Sequence, residues 1–279
     1  MAEDPGPALQ RIVLGEDLRE LREAARLTSD DAAAALGWYR AKVSKVETGS
    51  AKLTDPEIEK LVTAYRVEPD RAEQLRKLAK EARRQLPPSR VPDWAAKYVT
   101  LEASAADVKL FYSDFVPGSL QTRAYAKAIL DASVIVSATE VEQMADDRAK
   151  RANRLGREDG PLVWAVLGEE ALRRRVGGPE VLLGQLQQLK AMTQQPNFTL
   201  QVLPLEAGAH PALGMSFSIL ELGQQRRTIV YMETLTGSDY LPRPNQVRAY
   251  SLVFGRLQAE ALNREESRRL IVRLIEELE

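Results

Sequence analysis

The chain has no cysteine, a single histidine, and aromatic residues at only 6% of its 279 positions. Without cysteine there is no disulfide, no thiolate zinc site and no cysteine nucleophile. His210 alone rules out a multi-histidine metal centre. No apolar run approaches the roughly 20 residues that a membrane-spanning helix needs. The N-terminal MAEDPGPALQR lacks the pattern of a signal peptide and reads as a disordered lead-in over residues 1–11.

A dominant charge is missing as well. The formal net charge is −1. Residues 1–90 hold 17 basic and 16 acidic side chains, and the remainder hold 22 and 24. Bulk charge therefore gives no general pull toward nucleic acid, and any such binding has to come from a local patch.

Residues 12–84 read as wholly helical. Val13, Leu14, Leu18, Leu21 and Ala25 recur at helical spacing over 12–25. Thr28 can cap a second helix to about Leu36, with Asp30 and Asp31 in its first turn. Gly37 supplies the left-handed residue that ends it. A third helix over 40–47 stops at Thr48-Gly49. Thr54-Asp55-Pro56-Glu57 is a capping box with an early proline, so a fourth helix starts there. Glu68-Pro69-Asp70 opens a fifth, with Ala72, Leu75, Leu78 and Ala79 on one face. Residues 85–93, within QLPPSRVPDW, then read as a proline-rich linker.

The two short helices at 28–49 have the form of a helix-turn-helix, whose second helix enters the major groove. Ala32, Ala33, Leu36, Val43 and Val46 lock the pair. Arg40, Ala41, Lys42, Ser44 and Lys45 are left to point outward. Arginine and lysine match guanine acceptors, serine bonds several base edges, and alanine can touch a thymine methyl. Thr28 and Ser29, at the start of the first motif helix, are placed to meet a phosphate, and Lys52 in the following loop is a further phosphate candidate. A small helical bundle with a solvated basic face is the plainer alternative.

The remainder, 94–279, predicts an α+β domain with a mainly antiparallel sheet flanked by helices. Strands are expected at 108–115, 161–167, 198–203, 215–222 and 228–233, the last two joined by a hairpin at 223–227. Helices are expected at 121–130, 140–154, 169–175, 179–192, 246–262 and 264–278. Tyr112, Phe115, Trp164, Phe198, Phe217 and Tyr231 fall in or beside strands and read mostly as core. Leu270, Leu274 and Leu278, with Ile271 and Ile275, make a stripe on the last helix that serves either a dimer or its own domain.

Few residues here suggest chemistry. His210, in GAHPAL, reads as a loop histidine holding a turn. Glu169, Glu170 and Glu233 lie at strand ends or just beyond, where paired carboxylates can do acid–base work, hold a divalent ion or simply face helix dipoles. Arg173-Arg174-Arg175 reads as the cationic end of a helix capped by Gly177. Gly177-Gly178 is not a phosphate loop, because the GxxxxGK[ST] spacing is absent. No catalytic residue, metal or cofactor is expected.

Two resemblances sharpen this reading. LGEDLRELREAARLT, DDAAAALGW, KVSKVETG and LTDPEIEKLVTAYRV resemble the repressor-type (XRE) helix-turn-helix family over about residues 12–68. That implies five helices, with the third reading the groove. The glutamine the family commonly carries early in its second helix is replaced by Ser29 or Asp30. FVPGSLQTRAYAKAIL, GEEALRRRVGG, QVLPLEAGAHPALGMSFSILEL and IVYMET resemble the domain of uncharacterised function in actinobacterial regulators of the WhiJ type, over about 92–277. This implies a cytoplasmic transcription regulator, nucleoid-associated when bound to double-stranded DNA. Its C-terminal domain would answer a small protein partner, in a toxin–antitoxin-like pairing. A homodimer would read two half-sites. The rivals are a repressor responsive to a small metabolite, a helix-turn-helix protein with an enzymatic C-terminal domain, and an adaptor whose helical domain never meets DNA.

Overall fold

In a computed structural model the described residues are 6–83, 93–157, 159–222, 227–235 and 237–279. They fall into two units, Met1–Ser104 and Ala105–Glu279. The expected linker at 85–93 lies, apart from Asp93, outside the described residues.

The first unit is all helix: α1 (Gly6–Ala24), α2 (Ser29–Leu36), α3 (Arg40–Glu47), α4 (Asp55–Ala64), α5 (Pro69–Ala82) and α6 (Asp93–Ser104). α1 starts at Gly6 rather than at Ile12, so residues 6–11 are helix instead of lead-in. Pro7 suits a first helical turn, and Arg11 donates to the Ala82 carbonyl at 3.1 Å, tying this early turn to the end of α5. α6 was not anticipated; it packs against α1. Leu14, Leu18, Ala32, Ala33, Leu36, Val43, Val46, Ile58, Leu61 and Leu75 form one apolar core. Alanine at 32 and 33 lets the short helices approach closely.

The second unit carries a six-stranded sheet in the order β3-β2-β1-β4-β5-β6. The strands are β1 (Ala105–Tyr112), β2 (Leu162–Gly168), β3 (Phe198–Leu203), β4 (Phe217–Leu222), β5 (Arg227–Thr234) and β6 (Gly237–Leu241). Three pairings are antiparallel, and β1-β2 and β2-β3 are parallel. The parallel pairs follow from their connections. α7 (Arg123–Asp131) and α8 (Val141–Leu155) lie between β1 and β2, and α9 (Glu169–Arg173) and α10 (Pro179–Met192) between β2 and β3. A crossover of that length returns the chain parallel, whereas a tight turn reverses it. Most of the expected 223–227 turn lies outside the described residues.

One face of the sheet is apolar. Phe111, Val166, Leu203, Phe217, Ile219 and Val230 pack there with Phe254 and Leu257 of α11 (Pro244–Glu260). On the other face Ser218, Tyr231 and Tyr240 lie side by side across β4, β5 and β6 by register. The free edge of β3 is covered by the start of α12 (Arg264–Glu276): Val202 N donates to Ser267 Oγ at 2.9 Å, and Leu262 N to Val202 O at 2.9 Å. An open strand edge is thereby closed. The α12 stripe is consumed in the same packing. Leu270, Ile271, Leu274 and Ile275 are buried within their own unit, so of the two roles expected for the stripe these four serve packing onto the domain.

Candidate nucleic-acid interface

The pair α2–α3 is built from local signals. Asp31 N donates to Thr28 Oγ1 at 3.1 Å, and Thr28 N donates to Asp31 Oδ2 at 2.9 Å, a complete capping box. The Thr28 hydroxyl, which donates to Asp31 Oδ2 at 2.6 Å, and Thr28 N together hold the Asp31 carboxyl below its usual range. Gly37 ends α2 with φ +67°, a conformation in which a side chain is strained. Gly15 explains itself by proximity. A Cβ there would stand 2.5 Å from the Val46 carbonyl oxygen, so α1 passes directly against the end of α3.

A buried ion pair fixes α3 further. Arg22 of α1 donates through Nε to Glu47 Oε1 at 2.6 Å and through NH2 to Glu47 Oε2 at 3.1 Å. Its NH1 reaches the Leu27 carbonyl at 2.7 Å. Both side chains are only 7% exposed. The Glu47 hydrogen bonds raise the Arg22 guanidinium above its ordinary value, against the effect of burial. Burial, with Glu47 nearby, pushes the Tyr65 hydroxyl up to about 12.

With Val43 and Val46 inward, Arg40, Ala41, Ser44 and Lys45 are exposed along one side of α3. Thr28 and Lys52 are exposed, and Ser29 is half-buried. Arg40 comes within 3.7 Å of Asp30 in an exposed pair, a contact of little energy. Lys42 is placed differently from its neighbours. Its ammonium pairs with Glu57 and lies 4.3 Å from the Trp38 ring centre, so it joins α3 to the start of α4. Partial burial would raise the Glu57 carboxyl, but Lys42 and the Thr54 cap outweigh it and hold the group low. The sequence reading passed over Tyr39, which is 86% exposed at the N-cap of α3. Its signal is an aromatic in the turn directly ahead of α3.

The candidates in the second unit do not converge. Glu169 is buried, pairs with Arg173 at 2.6 Å and accepts from Leu205 N at 3.2 Å. His210 packs edge-on against Phe111, and its Nδ1 accepts from Ala212 N at 3.3 Å. Glu233 accepts from the Tyr231 hydroxyl at 3.2 Å. Phe111 and Tyr231 lie on opposite faces of the sheet by register. Arg174 sits in extended conformation at the end of α9 and donates to the Asp114 carbonyl at 2.9 Å. Gly177 therefore does not cap that helix; it and Gly178, both with positive φ, lead into α10. Phe198 and Phe217 are fully buried as expected, whereas Trp164 is 38% exposed and bonds Gln201. No helix among the described residues is long and apolar enough to cross a membrane.

Residues 95–273 match the family described as a domain of unknown function (DUF5753), and residues 13–75 match a helix-turn-helix domain family. No curated protein matches the chain. Among solved structures, the restriction-modification controller protein C.AhdI from Aeromonas hydrophila is 34% identical over 23% of this chain and 97% of its own, with a TM-score of 0.22.

Proposed function

We propose, for a chain that belongs to the DUF5753 family and carries a helix-turn-helix domain ahead of it, that α3 reads a specific operator and the C-terminal unit decides when. The helix-turn-helix domain makes the protein a DNA-binding transcription regulator. The observation that carries the finer reading is the exposed side of α3. Arg40, Ala41, Ser44 and Lys45 share it, on a helix held at both ends by the Gly15 contact, the Arg22–Glu47 pair and the Lys42–Glu57 pair. Base contacts fall to Arg40, Ala41, Ser44 and Lys45. Thr28, Ser29 and Lys52 take phosphates, and Tyr39 joins them at the helix start. Lys42 contributes through its pairing with Glu57 and its charge near the groove.

The protein acts in the cytoplasm, where the chromosome is, and as a dimer it would span half-sites about 34–36 Å apart. The C-terminal unit answers a small protein partner, a reading supported by the resemblance of residues 92–277 to WhiJ-type regulators. An anisotropy titration against the chain's own upstream region tests the DNA half. Arg40→Ala or Lys45→Ala should each cost about 1–3 kcal/mol and relax preference at one base position. Equal affinity for that region and random DNA across a salt series would defeat self-regulation.

A further inference from the structure

We propose that Arg148 and Arg151 of α8, with Tyr231 and Glu233 of β5 within electrostatic reach, form a binding site for a small organic carboxylate. The site belongs to the C-terminal unit alone and does not rest on the DNA-binding reading.

The two arginines stand one helical turn apart, on the same side of α8. Both reach over the backbone at Gly118. A Cβ built there would lie 3.1 Å from Arg151 NH2 and 3.6 Å from Arg148 Nε. Such crowding of like charges is costly, and more so away from bulk water. Burial, with Arg151 alongside, lowers the Arg148 guanidinium to about 10. Glu233 acts on both, and is itself raised by desolvation against the pull of Arg148, Tyr231 and Arg151. Two guanidinium groups against one carboxylate leave one positive charge over.

Their hydrogen bonds are also incomplete. Arg148 NH1 donates to Gln121 Oε1 at 2.9 Å. Arg151 makes no hydrogen bond or ion pair to a described residue, although a guanidinium carries five donors in a planar fork. That fork matches a carboxylate bidentately. Access is present: both arginines are only half-buried and Glu233 keeps an open side to solvent.

Aromatic side chains lie on the same face of the sheet. Tyr112 packs edge-on against Phe115 with ring centres 5.4 Å apart, and Tyr231 lies 5.2 Å from Tyr240. Tyr112 and Tyr231 are buried on the face that carries Ser218, and the Tyr112 hydroxyl lies 3.4 Å from Ser218 Oγ. Tyr112 is also the last residue of β1, the strand with a parallel neighbour on one side and an antiparallel one on the other. The carboxyl end of a parallel strand where the sheet changes direction is where α/β sheets hold ligands. A single carboxylate balances the surplus charge; a phosphate dianion would overshoot it.

Benzoate, with benzamide as its neutral isostere and inorganic phosphate as a second anion, probes the site in the full chain by calorimetry. Benzoate should bind saturably and at least about tenfold more tightly than benzamide, because the charge-assisted fork is lost with the neutral amide. Arg151→Met should remove most of the binding while leaving the melting temperature in place. Glu233→Gln should tighten benzoate about several-fold, since an internal competitor for the arginines is gone. Lys150→Ala, on the solvent side of the same helix and paired with Asp147, should change nothing. A purely structural Arg–Glu cluster predicts the reverse for Glu233→Gln: no gain, or a loss. That result, no saturable benzoate binding, parity with benzamide, or binding of phosphate alone would overturn the proposal. Should Arg151→Met fail to fold, the benzamide comparison and Glu233→Gln decide it.

Discussion

Arg22 and Arg148 are both arginines on helices, the first buried and the second half-buried, and the two units of the chain treat them in opposite ways. Arg22 meets Glu47 bidentately and a backbone carbonyl besides, so its charge is matched and its donors are used. Arg148 stands beside a second arginine, with one amide oxygen as its hydrogen-bond partner and one carboxylate shared between the two. A matched buried pair positions an element. An unmatched pair of cations with an open side is a site awaiting an anion. In the first unit the arginine holds α3 so that other side chains can face DNA; in the second the arginines are themselves the binding groups.

The strongest way to break this comparison is to strip Arg22 of its partner. Glu47→Ala leaves a buried, uncompensated guanidinium and should cost about 3–5 kcal/mol, read by urea unfolding of the helical unit. Arg22→Met combined with Glu47→Leu should restore most of that loss, because a packed apolar pair replaces a desolvated ionic one. Failure of the double variant to recover would mean that the pair specifies the α1–α3 geometry and does not merely neutralise itself. Gly15→Ala comes next. Its methyl would press on the Val46 and Glu47 carbonyls, which are backbone and cannot swing away, at a cost of about 1–3 kcal/mol in thermal melts. DNA affinity should fall with it, since α3 must shift.

The smallest effect concerns acid. Lys42 and the Thr54 cap keep the Glu57 carboxyl below its ordinary 4.5 in the folded state. A group depressed on folding stabilises above its unfolded value, and that contribution is lost as pH falls through the folded one. The helical unit should therefore lose stability as pH falls below about 4.5, a slope that Glu57→Gln flattens. An unchanged slope in Glu57→Gln would remove Lys42 from the architecture and return it to the DNA-facing set.

Much of this was legible where the determining interactions are local. Thr28, Gly37 and the Thr54-Pro56-Glu57 box mark helix ends within four residues of the groups they bond, and the start of α2, the turn and α4 fall where those signals put them. β3 and α10 match their expected bounds because each is a clean apolar run or a proline-started helix. β6 escaped notice because GSDYL has neither alternation nor β-branched residues; it is a strand by pairing with β5. The parallel half of the sheet shows in the α7–α8 and α9–α10 crossovers more than in the strands. Contacts between distant residues left no trace. Arg22 and Glu47 are 25 positions apart, and Arg148 and Glu233, 85 positions apart, come within electrostatic reach only through the fold. By sequence Glu233 reads as a companion of Glu169, and Lys42 groups with Arg40 and Lys45, because spacing cannot show that Glu57 claims Lys42.

The central claim is that α3 reads sequence through the side chains its anchors leave exposed. Competition binding with the protein's own upstream region against random DNA, for wild type and Lys45→Ala at matched stability, tests it most directly. The account predicts a salt-sensitive preference for the specific site that Lys45→Ala reduces by about 1–3 kcal/mol, with melting unchanged. Undiminished preference in both Lys45→Ala and Arg40→Ala would place DNA recognition on another surface and contradict it.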